Sequence, residues 1–256
     1  MTYRQAMRAD QIALQLYTVR RLAADDLAGT LRAVAVAGYR FVEIAGVPEA
    51  ARSSLSSRLA DAGLRAVAAH QGLERLRSEA DDIADWLAGL GCPRVVVPSL
   101  PDAERGTVDG VRRLAAELSG FAASLAERGI TLGYHNHASE FAPLDGTTAW
   151  DVLLTELAPD VEIELDVYWA AVGGRDPVEL IRAHRDRVRL IHVKDRAAGA
   201  EPRDAPAGAG ILDIAAIVAA GDEAGVEWYV AEQDEPQDPI RDIATAYRYL
   251  ESISAA

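Results

Sequence analysis

The chain has 256 residues, half of them apolar, and a formal net charge of -14, which repels a phosphate backbone and excludes nucleic acid as the first choice of partner. No apolar run approaches the ~18 residues of a membrane span, and residues 1–10 lack an apolar signal core, so we expect no membrane association. Cys92 is the only cysteine, which excludes an internal disulfide and makes the cytoplasm the expected compartment.

Eight segments of the chain have the character of buried β-strands. Five of them follow a glycine of the kind that ends a helix, and each runs through a short apolar stretch to a polar residue at or next to its last position. In chain order the predicted strands cover residues 12–19, 38–44, 63–70, 91–99, 129–137, 161–168, 188–195 and 225–232.

Amphipathic segments lie between most of these strands. Their apolar residues recur with helical spacing. These residues are Leu27, Leu31, Val34 and Ala35; Ile83, Trp86, Leu87 and Leu90; Val111, Leu114, Leu118, Phe121 and Leu125; Trp150, Leu153 and Leu154; Val178 and Ile181; Ile214, Ile217 and Val218; and Ile240, Ile243, Tyr247 and Leu250. Asp176 and Asp238, each followed by proline, predict two helix N-caps.

Strand–helix alternation repeated eight times predicts a parallel sheet, and about 250 residues is the usual size of a (β/α)8 barrel. We therefore predict an α/β fold in which residues 1–256 form a single TIM-barrel domain. A doubly wound open sheet is the alternative, but no GxGxxG motif follows the first strand. Residues 197–210, after strand seven, are expected to form a substrate loop or a disordered surface loop.

Polar residues gather at the predicted C-terminal ends of the strands, where a TIM barrel has its active site. In strand order they are Gln15 and Tyr17; Glu43; His70 and Gln71; Ser99; His135, Asn136 and His137; Asp166; His192, Lys194 and Asp195; and Glu232, Gln233 and Asp234. Of the five histidines, only His184 lies elsewhere, in a predicted helix. Burying so many polar groups is costly unless they bind one another, water or an ion.

Asp166, His192 and Glu232 on neighbouring strands predict a site for one divalent cation. An oxygen-rich set with one imidazole favours Mn2+, Mg2+, Co2+ or Zn2+. Glu140, just beyond strand five, is the best-placed fourth ligand, and Glu43 is the fallback. The alternative is that these carboxylates only pair with arginines, although few arginines stand at the strand ends.

A cation at this position can bind adjacent oxygens of a sugar and stabilise an enediolate. A nearby carboxylate can then move a proton α to the carbonyl, which is isomerase or epimerase chemistry. The same intermediate can instead expel a β leaving group, as in a lyase or dehydratase. A non-catalytic carbohydrate-binding barrel is a third possibility. Lys194 is the only lysine of the chain, and we expect it to stand where arginine does not serve.

Several short segments resemble the sugar phosphate isomerase/epimerase family, which has the xylose isomerase-like TIM barrel. The segments span strands one to eight. They are LQLYTVR at residues 14–20, YHNHASEF at 134–141, DVYW at 166–169, HVKD at 192–195, GAG at 208–210 and EQD at 232–234. The resemblance implies a metal held by a glutamate, an aspartate, a histidine and a glutamate on strands five to eight.

Asp166, His192 and Glu232 match the last three of these ligands, and Glu140 matches the glutamate of the YHNHxxEF motif. Ketose 3-epimerases instead carry a glutamate within strand five, where this chain has Gly133 or Tyr134. The endonuclease IV branch, with its trinuclear zinc cluster and many more histidines, does not match the five histidines and acidic charge of this chain.

The predicted roles follow from these positions. The metal ligands are Glu140, Asp166, His192 and Glu232, and the catalytic residues are Glu140, Glu232 and Lys194. The substrate contacts are His70, His135, His137, Trp169 and Lys194. We expect a metal-dependent isomerase or epimerase that acts on a free or oxidised sugar, a ketose or keto-sugar, because no phosphate-binding loop stands out after strands seven and eight. A lyase or dehydratase that acts on a keto-sugar or keto-inositol is the alternative. Barrels of this kind are often dimers or tetramers, so a homo-oligomer is possible.

Overall fold

The computed structural model describes residues 6–255. Eight parallel strands close a barrel. They are β1 (Ile12–Gln15), β2 (Phe41–Ile44), β3 (Arg65–His70), β4 (Arg94–Val97), β5 (Thr131–His135), β6 (Glu162–Asp166), β7 (Val188–Val193) and β8 (Trp228–Ala231). Each strand pairs with its neighbours in chain order, and β1 pairs with both β2 and β8 to close the ring. The predicted TIM barrel is therefore confirmed.

The helices surround the strands. They are α1 (Arg20–Asp25), α2 (Leu27–Val36), α3 (Leu55–Ala62), α4 (Leu73–Leu90), α5 (Asp102–Arg105), α6 (Val108–Ala126), α7 (Ala149–Glu156), α8 (Val167–Val172), α9 (Pro177–Ala183), α10 (Ile214–Ala224) and α11 (Pro239–Ile253). The Asp176 and Asp238 side chains accept backbone N–H groups at the starts of α9 and α11, as predicted. None of the helices described between residues 6 and 255 has the length and apolarity needed to cross a membrane.

Apolar side chains fill two separate layers. The larger layer lies between strands and helices and contains Trp150, which is fully buried. A smaller cluster consists of Ala13, Val67, Ala68, Val96, Leu190 and Val230. Two of its members are alanines, and buried glutamates of neighbouring strands occupy the interior beside it. The barrel is thus apolar in this cluster and polar toward its C-terminal end.

All eight predicted strands are longer than the observed ones, and three of them run into other secondary structure. Residues 16–19 form a 3-10 helix, so β1 ends at Gln15. Residues 167 and 168 begin α8, because the Asp166 carboxylate accepts the Trp169 N–H and starts a helix there. The chain after β7 forms a short antiparallel hairpin between Asp195–Arg196 and Asp204–Ala205, so part of the predicted loop 197–210 is ordered as a strand.

Candidate active site

Three of the four residues predicted as metal ligands meet at the C-terminal end of the barrel. Asp166 ends β6, His192 is on β7 and Glu232 directly follows β8. All three are buried, and each offers an oxygen or nitrogen within 4.8 Å of those of the other two. The register accounts for this, because Asp166 pairs with His192 and Val230 pairs with His192 across adjacent strands.

Lys194 joins the same carboxylates. Its Nζ lies 3.1 Å from Asp166 Oδ2, 2.9 Å from Glu232 Oε2 and 2.9 Å from Asp234 Oδ2, although the side chain is only 1% exposed. Burial alone would lower the pKa of Lys194, but Asp166 and Glu232 hold that pKa well above its usual value. The single lysine is therefore a buried ammonium ion with three carboxylate partners.

A second polar group lies in the interior and shares His192. The Glu164 Oε2 atom is 2.7 Å from His70 Nε2, 3.0 Å from His135 Nδ1 and 3.1 Å from His192 Nε2. Glu43 Oε2 is 2.6 Å from the same His192 nitrogen. Glu43 and Glu164 are fully buried, so they act as acceptors that fix the orientation of the imidazoles.

Irregular pairing marks the two glutamates of this group. The register between β2 and β3 shifts between Val42 and Glu43, and that between β6 and β7 shifts between Ile163 and Glu164. Such shifts re-aim side chains and are common beside active sites. The strand geometry thus changes at the residues that point at the histidines.

The charges of the interior group balance one another. Burial alone would lower the pKa of His70, but Glu43 and Glu164 raise it to about 10. Burial also opposes the charge on His192, yet Glu164, Glu232 and Glu43 hold its pKa well above the usual value. For His135, burial and the neighbouring His192 lower the pKa well below the usual value. Of the three imidazoles, His135 is therefore the neutral one.

Several buried carboxylate oxygens indicate whether the site suits a metal ion. Glu43 Oε1 and Glu164 Oε1 are buried and have no hydrogen-bond partner among the described residues, and the buried Asp166 Oδ2 faces the Lys194 ammonium ion at 3.1 Å. Leaving ionised oxygens unpaired in the interior is costly unless a cation is near. A set of carboxylate and imidazole donors suits divalent ions such as Zn2+ and Mn2+. The residues at the barrel end therefore fit a divalent cation.

Glu140, the predicted fourth ligand, is not in either group of potential ligands that residues 6–255 form. Its Oε1 accepts the Tyr134 hydroxyl at 2.8 Å, and its Oε2 accepts the His137 N–H at 2.8 Å and the Ser139 hydroxyl at 3.0 Å. Tyr134 alternates with the inward-facing His135 on β5, so it directs Glu140 away from the barrel interior. Glu43, the fallback ligand, lies in the interior group instead.

A cavity of about 330 Å³ opens above the carboxylates. Of the predicted catalytic and substrate residues, His70, His135, His137, Lys194 and Glu232 line it. Trp169 instead lines an adjoining cavity of about 760 Å³, and Asp234 lines both. The central volume is at the lower end of the range for small-molecule sites, which is roughly 300–1,000 Å³.

Glu164, in the interior group, is not among the residues predicted from the strand ends. It lies two residues before Asp166, inside a strand rather than at its end. The signal is an alternation of acidic and apolar residues through 162–166, which places Glu162, Glu164 and Asp166 on one face of β6. Acidic residues facing a barrel interior indicate cationic partners there.

Three comparisons relate the chain to known proteins. Inosose dehydratase from Lacticaseibacillus casei is 26% identical over 202 residues, which is 66% of this chain and 67% of that protein. Inosose dehydratase from Geobacillus thermodenitrificans is 29% identical over 161 residues, covering 56% of this chain and about half, 49%, of that protein.

A sugar phosphate isomerase/epimerase from Parabacteroides distasonis has a similar structure, with a TM-score of 0.80 and 25% sequence identity. The match covers 98% of this chain and 96% of that protein. A family model described as the xylose isomerase-like TIM barrel matches residues 31–253. The resemblance expected from the strand-end motifs is thus confirmed, and the chain belongs to the xylose isomerase-like TIM barrel family.

Proposed function

We propose that the chain is a divalent-metal-dependent lyase that dehydrates a keto-cyclitol or keto-sugar. The observation that carries this proposal is one cavity in which the His137 imidazole and the Lys194 ammonium stand beside carboxylates suited to a cation. The similarity to inosose dehydratases supports a dehydration outcome.

Asp166, His192 and Glu232 would hold the ion. When bound, a divalent cation supplies Lewis-acid polarisation of a carbonyl and charge stabilisation for an enediolate. Glu43 and Glu164 hold the far nitrogen of His192, as carboxylates beside metal-binding histidines commonly do.

His137 is the proposed proton carrier. Burial lowers its pKa, although Glu140 acts in the opposite direction, so the imidazole is neutral near pH 7 and can accept a proton. It takes the proton from the carbon α to the carbonyl, and the electron pair of that C–H bond forms the enediolate.

The enediolate then expels the β-hydroxyl, which takes the proton back from His137 and leaves as water. The product is an unsaturated ketone, and no oxidant or reductant is needed. Lys194 remains an ammonium ion, and its positive charge stabilises the oxygen on which negative charge develops.

Isomerisation or epimerisation is the second candidate, favoured by the structural similarity to the Parabacteroides protein. It uses the same intermediate, with the proton returned to carbon instead of to the leaving group. A mechanism with Glu140 as a second acid/base has less support, because Tyr134, Ser139 and the His137 N–H occupy the carboxylate oxygens of Glu140.

The test is incubation of keto-inositols and keto-hexoses with the metal-loaded protein in deuterated water, followed by NMR and mass spectrometry. Loss of water with a new alkene signal is the expected result. Deuterium incorporation with an isomeric product and no mass loss would support the second candidate instead. Absence of both reactions across the panel would favour a non-catalytic carbohydrate-binding barrel.

His137→Asn should lower the rate by at least ~100-fold, the usual minimum contribution of a general base. His184→Asn is the matched control, because His184 lies at the end of α9 and packs near Trp150 rather than at the cavity. Equal losses in the two variants would contradict the role of His137.

A further inference from the structure

His135 ends β5, and its two ring nitrogens face different groups. The side chain is 3% exposed, and Nδ1 lies 3.0 Å from Glu164 Oε2. An ionised carboxylate only accepts hydrogen bonds, so Nδ1 must carry the hydrogen. A neutral imidazole has one N–H, and the lone pair available to a metal is therefore on Nε2.

That nitrogen faces one of the predicted metal ligands, Asp166. His135 Nε2 is 3.9 Å from Asp166 Oδ2, the buried carboxylate oxygen that also faces Lys194 Nζ at 3.1 Å. The rings of His135 and His192 lie edge to face, with centroids 4.5 Å apart. Two atoms each ~2.1 Å from one ion are separated by at most ~4.2 Å, so a single cation can reach both His135 Nε2 and Asp166 Oδ2.

We propose that His135 Nε2 is the fourth protein ligand of the metal and that Glu164 orients the ring for this role. The site would then contain two imidazoles and two carboxylates, from His135, Asp166, His192 and Glu232. This inference rests on the metal site of the proposed function. It differs from the predicted set, in which Glu140 supplies the fourth ligand atom.

The competing candidates are either hydrogen-bonded through both carboxylate oxygens, as Glu140 is, or lie on the far side of His192 from Glu232, as Glu43 does. Glu140 accepts hydrogen bonds from Tyr134, Ser139 and the backbone at residue 137. The Glu43 Oε2 atom accepts a hydrogen bond from the Gln15 side chain at 2.8 Å and lies 2.6 Å from His192 Nε2. Glu232 faces the other ring nitrogen of His192, Nδ1. His135 is the candidate whose oriented, lone-pair nitrogen faces Asp166.

Pulsed electron paramagnetic resonance of the Cu2+-loaded full chain tests the proposal directly. The remote nitrogen of each coordinated imidazole modulates the electron spin echo, so the spectrum counts imidazole ligands. We expect two imidazoles in the wild-type protein and one in His135→Asn. A single imidazole in the wild-type protein would overturn the assignment, whatever the folding of the variants.

Two substitutions of His135 distinguish the effect of losing the metal-binding nitrogen Nε2 from the effect of losing the Nδ1 contact to Glu164. His135→Asn keeps a polar atom near the Nδ1 position beside Glu164, whereas His135→Gln places one near the Nε2 position. In chelator competition, the Zn2+ affinity of His135→Asn should fall by at least ~100-fold, because ~100-fold is the most that loss of a contact outside the coordination shell usually costs. The Zn2+ affinity of His135→Gln should fall by less. Glu140→Gln should keep its affinity within a few-fold of wild type.

Two negative results are distinguishable. Failure of the wild-type protein to bind any divalent ion would contradict the proposed function together with this inference. Tight binding that is lost in Glu140→Gln and kept in His135→Asn would contradict this inference alone.

Discussion

Asp195, directly after β7, holds the start of the following loop through one buried carboxylate. Its Oδ1 accepts the N–H groups of Arg196 at 2.7 Å and Leu212 at 3.0 Å. Its Oδ2 accepts those of Gly208 at 3.0 Å and Gly210 at 2.9 Å. Four backbone donors converge on this side chain, so we predict that Asp195→Asn destabilises the protein strongly.

The magnitude follows from the number of acceptors that are lost. Asparagine has one acceptor oxygen, and its amide nitrogen would face two backbone N–H groups that now donate to Oδ2. Hydrogen bonds to a charged group contribute ~1.5–3 kcal/mol each, so the free energy of unfolding should fall by about 3–6 kcal/mol. For a chain of this size 1 kcal/mol corresponds to ~2–4 °C, which predicts a Tm lower by at least about 6 °C.

Urea unfolding and thermal melting, both followed by circular dichroism, measure this loss. Asp186→Asn is the matched control, since the Asp186 side chain is 94% exposed, and it should leave Tm unchanged. Limited proteolysis should cut residues 197–210 faster in Asp195→Asn than in the control. Equal Tm values and equal cleavage in the two variants would refute the view that this carboxylate organises the loop.

Three further substitutions test the packing and hydrogen bonding around the site. Glu43→Gln should weaken Zn2+ binding by ~10–100-fold in chelator competition, because Glu43 holds His192 Nε2; unchanged affinity would argue against that contact. Tyr134→Phe should lower stability by ~1–3 kcal/mol in urea, because buried Glu140 loses a donor; a neutral effect would show that water replaces it. Trp150→Ala should cost ~3–5 kcal/mol, and a loss below 1 kcal/mol would contradict its full burial.

Much of the fold was predictable because its signals are local. Glycine after a helix predicts a left-handed C-cap, and Gly63 and Gly225 take that conformation, with φ of 71° and 81°. The strands that follow them, β3 and β8, are where the sequence predicted them. Asp166 and His192 could be recognised for a similar reason, since each is a polar residue at or near the end of an apolar strand.

Features that depend on tertiary contacts were harder to predict. The helix Leu55–Ala62 was overlooked because only Leu55 and Leu59 are buried along its short length. Glu164 was overlooked because its role depends on histidines from β3, β5 and β7 that only barrel closure brings together. The placement of Glu140 depends on the Tyr134 hydroxyl, and motif spacing alone does not show which way that side chain points.

The most direct test of the central claim is the metal content of the purified chain. After loading with Mn2+ or Zn2+ and desalting, elemental analysis should find about one ion per wild-type chain. Asp166→Asn, shown to be folded by circular dichroism, should retain almost none, and the exposed-site control Asp186→Asn should retain the wild-type amount. A metal-free wild-type protein, or a folded Asp166→Asn variant with full metal content, would contradict the proposed site.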